Sequence, residues 1–178
     1  LILSKIYCGD GAQWGVRIRY IHEIEPLGTA GALNQLNTGP DIKTVMVMNG
    51  DVISNVNLEQ MLQFHHSDNS NMITIASKVH QTQIAFGTIE HHNHHVTAIC
   101  EKPVITNYIS AGVYIINPSL LVLTQDLKKF DMPQLINMSI SFGHKATIFP
   151  IINYWKDVGT MTDLNAARKQ HLKELQSE

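Results

Sequence analysis

Thr44-Val45-Met46-Val47-Met48-Asn49-Gly50-Asp51 decides the fold. An apolar run without alternation, halted by Asn-Gly-Asp, predicts a central strand buried on both faces, the kind found inside parallel sheets. Met72 to Ala76 is a second candidate of this kind and Tyr108 to Ile116 a third. Val16 to Ile21 alternates around Arg17 and Arg19 and predicts a strand with one wet face. Phe86 to Glu90 and Val96 to Cys100 predict a hairpin across the turn His91-His92-Asn93-His94-His95.

Helices are expected between these strands. Asn57 can cap Leu58 to His66, with Gln60 closing a capping box and Leu58, Met61 and Leu62 facing inward. Asp131 can cap Met132 to Ser141, with Pro133 tolerated in the first turn and Gly143 just beyond the end. Thr160 can cap a last helix whose Leu164, Ala167, Leu172 and Leu175 recur at helical spacing. Strands alternating with helices predict an α/β sandwich, its sheet largely parallel and made mixed by the hairpin.

The 178 residues suit one domain, 1–178, able to bury its own core. A net charge of −2 and scattered basic residues give no electrostatic case for nucleic acid or an anionic membrane. No apolar run reaches the ~20 residues that span a bilayer. The two cysteines, Cys8 and Cys100, lack CxxC spacing, which speaks against a disulfide framework or zinc site and for a reducing, cytoplasmic setting. Of the ten histidines, the His91–His95 group reads as a surface turn, with metal affinity left open.

Three segments carry chemistry. In Leu27-Gly28-Thr29-Ala30-Gly31 the glycines allow close backbone approach, and Ala30 to Leu36 is expected to open a helix whose amides attract anions and nucleobase carbonyls. Asp51 follows the end of a buried strand, where ligands of open α/β sheets bind, and offers a hard oxygen to Mg²⁺. The other reading is an Asn-Gly-Asp turn bonding its own backbone. Asp157 sits behind Trp155 as a second metal ligand, or as a brace for Gly159-Thr160. Glu101-Lys102-Pro103 ends the hairpin, and proline should hold Lys102 extended, a fixed cation suited to a phosphate monoester.

In order, these segments resemble the sugar-1-phosphate nucleotidyltransferases over nearly the whole chain. Gly28 to Ala32 resembles their nucleoside turn, and Asn49-Gly50-Asp51 their metal aspartate. Phe86-Gly87 resembles the sugar-contacting pair and Glu101-Lys102-Pro103 the sugar-phosphate triplet. Ser110-Ala111-Gly112-Val113-Tyr114 is similar to the segment behind that triplet, and Trp155-x-Asp157-x-Gly159 to the second metal motif. Cys8-Gly9-Asp10-Gly11 with Trp14-Gly15-Val16 is similar to the stretch before the nucleoside turn. Asp131-Met132-Pro133, Phe149-Pro150 and Gly159-x-Met161-x-Asp163 are similar to the branch whose catalytic domain follows a pair of CBS modules, a mannose-1-phosphate guanylyltransferase-like group.

The resemblance implies a Rossmann-like three-layer α/β/α sandwich and a Mg²⁺-dependent reaction of a nucleoside triphosphate with a sugar 1-phosphate in nucleotide-sugar biosynthesis. It implies catalysis by Asp51, Lys102 and Asp157, with Asp51 and Asp157 as metal ligands. Nucleotide contacts would come from Leu27, Gly28, Thr29, Ala30, Gly31, Asn49 and Gly50. Sugar-phosphate contacts would come from Phe86, Gly87, Glu101, Lys102, Ser110, Ala111, Gly112 and Thr160. An unpaired sheet edge left by the missing strand would invite a homo-oligomer, and the resemblance leaves room for CBS modules upstream. Departures from the pattern are Phe86 for a usual tyrosine, Ser110 for a usual asparagine, and a missing Gly-x-Gly-Thr-Arg triphosphate loop. That loop and its strand would occupy roughly sixty residues before Leu1, so the chain alone is expected to turn over little. A non-catalytic nucleotide-sugar-binding module is the rival reading. A glycosyltransferase would want Asp-x-Asp, which Asn49-Gly50-Asp51 only half matches.

Overall fold

The computed structural model describes residues 2–36 and 39–175, which divide into two compact units. The first comprises Leu1–Lys43 and Asn117–His144. It holds helix α1 (Ile2–Cys8), short 3₁₀ turns at Ala12–Trp14, Gly31–Gln35 and Pro118–Thr124, and helix α3 (Met132–Ser141). Its buried side chains include Leu33, Leu120, Phe130, Met132 and Leu135. Gly143, at φ +81°, ends α3 as its place in the sequence predicts.

Two expectations fail in this unit. Val16 to Ile21 joins no ladder among the described residues; Ile18 N instead donates to Asp10 O at 2.7 Å. Left-handed Gly9, Gly11 and Gly15 turn the chain back on itself there, so the alternation around Arg17 and Arg19 records a wet loop. The helix expected from Ala30 is only the 3₁₀ turn Gly31–Gln35.

The second unit, Thr44–Ile116 with Lys145–Glu178, holds the eight strands found among the described residues. These are β1 (Val45–Met48), β2 (Val52–Ser54), β3 (Asn71–Gln83), β4 (Thr88–His92), β5 (His95–Cys100), β6 (Val104–Ile116), β7 (Lys145–Pro150) and β8 (Trp155–Asp157). Helices α2 (Leu58–His66) and α4 (Met161–Leu175) complete it. The main sheet runs β1-β6-β3-β7, with β6 antiparallel to both neighbours and β3 parallel to β7. Three of its four strands therefore point the same way, a mixed α/β sheet. Two ribbons, β2-β8 and β4-β5, stand apart from it.

The central strand is β6, continuously buried from Ala111 to Ile116. The expectation of a doubly buried strand at Thr44 to Met48 is corrected: β1 pairs with β6 alone, and Met46 and Met48 stay 39% and 46% exposed. An apolar run registers what could be covered, not what is. Met61 of α2 packs with Ala76, Val113, Ile115 and Ile151 in the core, Leu62 lies against that cluster, and Leu58 faces solvent. Asn57 caps α2 as expected, accepting from Gln60 N at 2.9 Å. Beside it lies a buried polar network. His65 Nδ1 is 2.9 Å from Thr74 Oγ1, Asn71 Nδ2 donates to the same hydroxyl at 2.8 Å, and Thr147 Oγ1 donates to Asn71 Oδ1. In α4, Ala167 is buried and Leu164 half-buried; the side chains of Leu172 and Leu175 lie outside the described set.

Candidate functional site

The aspartates at 51 and 157 meet through the backbone. Antiparallel pairing of β2 with β8 sets Val52 opposite Asp157, and Val158 N donates to Asp51 O at 2.8 Å. Both residues are exposed at one end of this ribbon, and neither carboxylate joins an ion pair among the described residues. Lys156, between Trp155 and Asp157, instead bonds Asp163 at 2.6 Å, and that bond raises the lysine above its ordinary value. Asp163 is lowered by Lys156 and by Thr160, whose hydroxyl donates to it at 2.6 Å. Thr160 Oγ1 also accepts from Asp163 N, the expected cap of α4, so its own proton is already engaged.

A bulge in β6 braces the first of these turns. Ile75 faces Tyr114 while Ser77 faces Ser110, so β6 carries extra residues around Ala111 and Gly112. Gly112 has φ +71°, its carbonyl accepts from Asn49 N at 2.8 Å, and a Cβ there would meet Asn49 Nδ2 at 2.8 Å. Ala111 O accepts from Trp155 Nε1 at 2.8 Å, and Ser110 Oγ lies 2.9 Å from Tyr114 Oη. Asn49, Gly50, Asp51, Ser110, Ala111, Gly112 and Asp157 are thus neighbours. The tryptophan's role as a tie from β8 to the bulge is invisible in the sequence, as is the Lys156–Asp163 pair.

The other sugar-phosphate candidates gather at the base of the β4-β5 hairpin. Thr88 pairs with Cys100, and a Cβ on Gly87 would come within 2.9 Å of Glu101 Oε2. Phe86 is 77% exposed. Lys102 is not extended: its φ is +47°, a left-handed conformation unusual for a lysine. At this point the chain leaves the β4-β5 ladder for the β3-β6 ladder, and Pro103 O accepts from Ile84 N at 2.9 Å. From Val104 to Ser110 the β3-β6 ladder runs up to about 20 Å at ~3.3 Å per residue. The hairpin base is thus separated along β6 from the Ser110–Gly112 bulge that neighbours the Asp51 turn. The hairpin's tip turns through Asn93 and His94, at φ +45° and +68°. Among the described residues no group of three His, Cys, Asp or Glu gathers to hold a metal.

In the first unit, Leu27 to Gly31 is locked against residues 128–132. Gly28 has φ +84°, and a Cβ on it would lie 2.5 Å from Phe130 O. Phe130 N donates to Leu27 O, and Ala30 N to Phe130 O. Thr29 N donates to Asp131 Oδ1 at 2.8 Å. Two amides expected to face a ligand are thus spent within the unit; those of Gly28 and Gly31 take no part in these bonds.

A nucleotidyl transferase family model matches residues 3–174. The chain is 32% identical over 158 residues to a mannose-1-phosphate guanyltransferase of Aspergillus fumigatus, covering 85% of this chain and 43% of that one. It is 32% identical over 161 residues, with the same coverages, to a protein of that name from Yarrowia lipolytica. The chain thus spans less than half the length of these curated relatives. Its fold matches a Bacillus anthracis structure assigned as a glucose-1-phosphate thymidylyltransferase, with TM-score 0.71, 19% identity, and coverage of 96% of this chain and 71% of that one. It also matches HddC from Yersinia pseudotuberculosis complexed with GMP-PN, with TM-score 0.60, 23% identity, and coverage of 93% and 74%. On the match that runs almost end to end, the chain belongs to the nucleotidyl transferase family.

Proposed function

We propose that this protein joins a nucleoside triphosphate to a sugar 1-phosphate, giving a nucleotide sugar and pyrophosphate. The observation that carries the reading is the pairing of Val52 with Asp157 beside the Asp51–Val158 bond, which sets two exposed carboxylates on adjacent strands. Such a pair fits Mg²⁺, a hard cation that takes one or two protein carboxylates and completes its shell with water and phosphate. Asp51 and Asp157 would hold it, and when bound it supplies positive charge against the triphosphate. In the reaction the sugar-phosphate oxygen bonds to the α-phosphorus while the bond from that phosphorus to the β-phosphate bridging oxygen breaks, and pyrophosphate carries away the electron pair. A phosphate monoester is mostly dianionic near neutral pH, its second pKa being ~6, so no side chain has to remove a proton. The protein's work is alignment and cancellation of like charge.

The glycine turn at residues 28–31 would take the nucleoside, and Asn49 and Gly50 would contact the nucleotide. Phe86, Gly87, Glu101 and Lys102 would take the sugar phosphate, with Ser110 to Gly112 and Thr160 beside the aspartates. Lys102 stands just before β6, at the base of the hairpin. Two free cysteines suit a reducing cytoplasmic setting. The relatives' names make GTP and mannose 1-phosphate the first pair to assay. Pyrophosphate release from full-length protein with Mg²⁺ tests the reading. Asp51→Asn should lower kcat at least about a hundredfold with melting temperature unchanged. A near-normal kcat would overturn the metal assignment.

A further inference from the structure

We infer that Asp131 is a positioning residue for the nucleoside-binding turn, acting through the amide and hydroxyl of Thr29; this rests on the function proposed above. Asp131 is the N-cap residue of α3, where an aspartate ordinarily accepts from its own helix. Here it makes no such bond. Its Oδ1 accepts instead from Thr29 N at 2.8 Å and Thr29 Oγ1 at 3.2 Å, 102 residues away in sequence. The vacated cap is filled from the other side, since Met132 N donates to Thr29 Oγ1 at 3.0 Å. The two residues have exchanged partners: Thr29 caps the helix and Asp131 holds the turn.

The exchange has a steric reason. With Gly28 left-handed and lying against the Phe130 carbonyl, Thr29 N meets residue 131, and without that carboxylate this exposed amide would turn to water. Oδ1 also stands 2.8 Å from the point a Gly28 Cβ would occupy, so the same atom enforces glycine at 28 and fixes the peptide after it. A turn held this way presents the Gly28 and Gly31 amides in one orientation. Released, it samples several, and nucleotide affinity falls by the fraction of time the binding form is lost. The sugar phosphate, bound elsewhere, is unaffected.

The test compares Asp131→Ala, Asp131→Asn and Thr29→Val in full-length protein, using GTP binding by calorimetry and pyrophosphate release with mannose 1-phosphate. Asp131→Ala should raise the Kd and KM for GTP about tenfold or more, while kcat and the KM for mannose 1-phosphate stay within about threefold. Asp131→Asn keeps an acceptor oxygen and should restore GTP affinity to within about threefold of wild type. Thr29→Val retains the amide bond and removes the hydroxyl, so it should raise the GTP KM by an intermediate factor even if Asp131→Ala fails to fold. Unchanged GTP affinity in Asp131→Ala or Thr29→Val would overturn the inference. So would equal loss in Asp131→Ala and Asp131→Asn, or a loss shared evenly by both substrates. Wild-type protein that binds no nucleotide would instead overturn the function on which the inference rests.

Discussion

A single missing Cβ at 112 lets β6 bulge. Gly112 combines a left-handed backbone with an Asn49 side chain 2.8 Å from where a methyl would stand, and its carbonyl holds the amide that begins the Asp51 turn. Gly112→Ala should therefore cost about 1–3 kcal/mol of stability and lower kcat, because it shifts the turn that carries Asp51. Denaturant unfolding and steady-state kinetics measure both; a stable variant with normal kcat would separate the bulge from the aspartate. The glycine was legible as a motif letter in Ser-Ala-Gly-Val-Tyr, but its work was not, since the clash it avoids involves a residue 63 positions earlier, counting from Asn49 to Gly112. Lys102 shows the opposite error. Proline at 103 argued for an extended neighbour, yet the change of ladder at that point demands a reversal that local preference does not foresee.

Helices were the most legible elements, because caps and periodicity are local. Asn57 and Thr160 make the predicted bonds, and α2 and α3 have the predicted bounds. What α2 rests on could not be read. His65 is 4% exposed and anchored to Thr74 among Asn71 and Thr147, with His66 beside it and the Asp68–Lys145 pair at the sheet end. Burial first, and His66 second, lower His65 below its ordinary 6.5. The folded state thus binds this proton less readily than the unfolded chain. Stability from His65 is full above pH 6.5 and is lost as pH falls from there toward the depressed folded value. Asp68 is lowered too, chiefly by Lys145, but its contribution disappears only far into acid. Denaturation midpoints should therefore decline as pH falls below 6.5, and His65→Gln should flatten that slope at a cost of about 1–3 kcal/mol at neutral pH. An unchanged slope in the variant would place the titration elsewhere.

For the whole molecule, fold class followed from the strand runs, and of the three candidate central strands only Thr44 to Met48 proved to be an edge. Thr44 to Met48 and Tyr108 to Ile116 look alike as apolar strings, and only hydrogen-bonded neighbours distinguish edge from middle. The convergence of Asp51 and Asp157 was an expectation from motif order, and the β2-β8 ladder gives it a backbone basis. The sugar-phosphate candidates divided between the hairpin base and the β6 bulge because sequence order does not show how motifs are parted in the sheet.

The exchanged partners at Thr29 and Asp131 carry a consequence for how this region orders itself. The Thr29 amide and the Met132 amide each donate to a side chain of the other segment. In deuterium exchange followed by mass spectrometry, the amides of Thr29 and Met132 should open in the same event and at one common rate, despite the 103 positions between them. Nucleotide should slow both together.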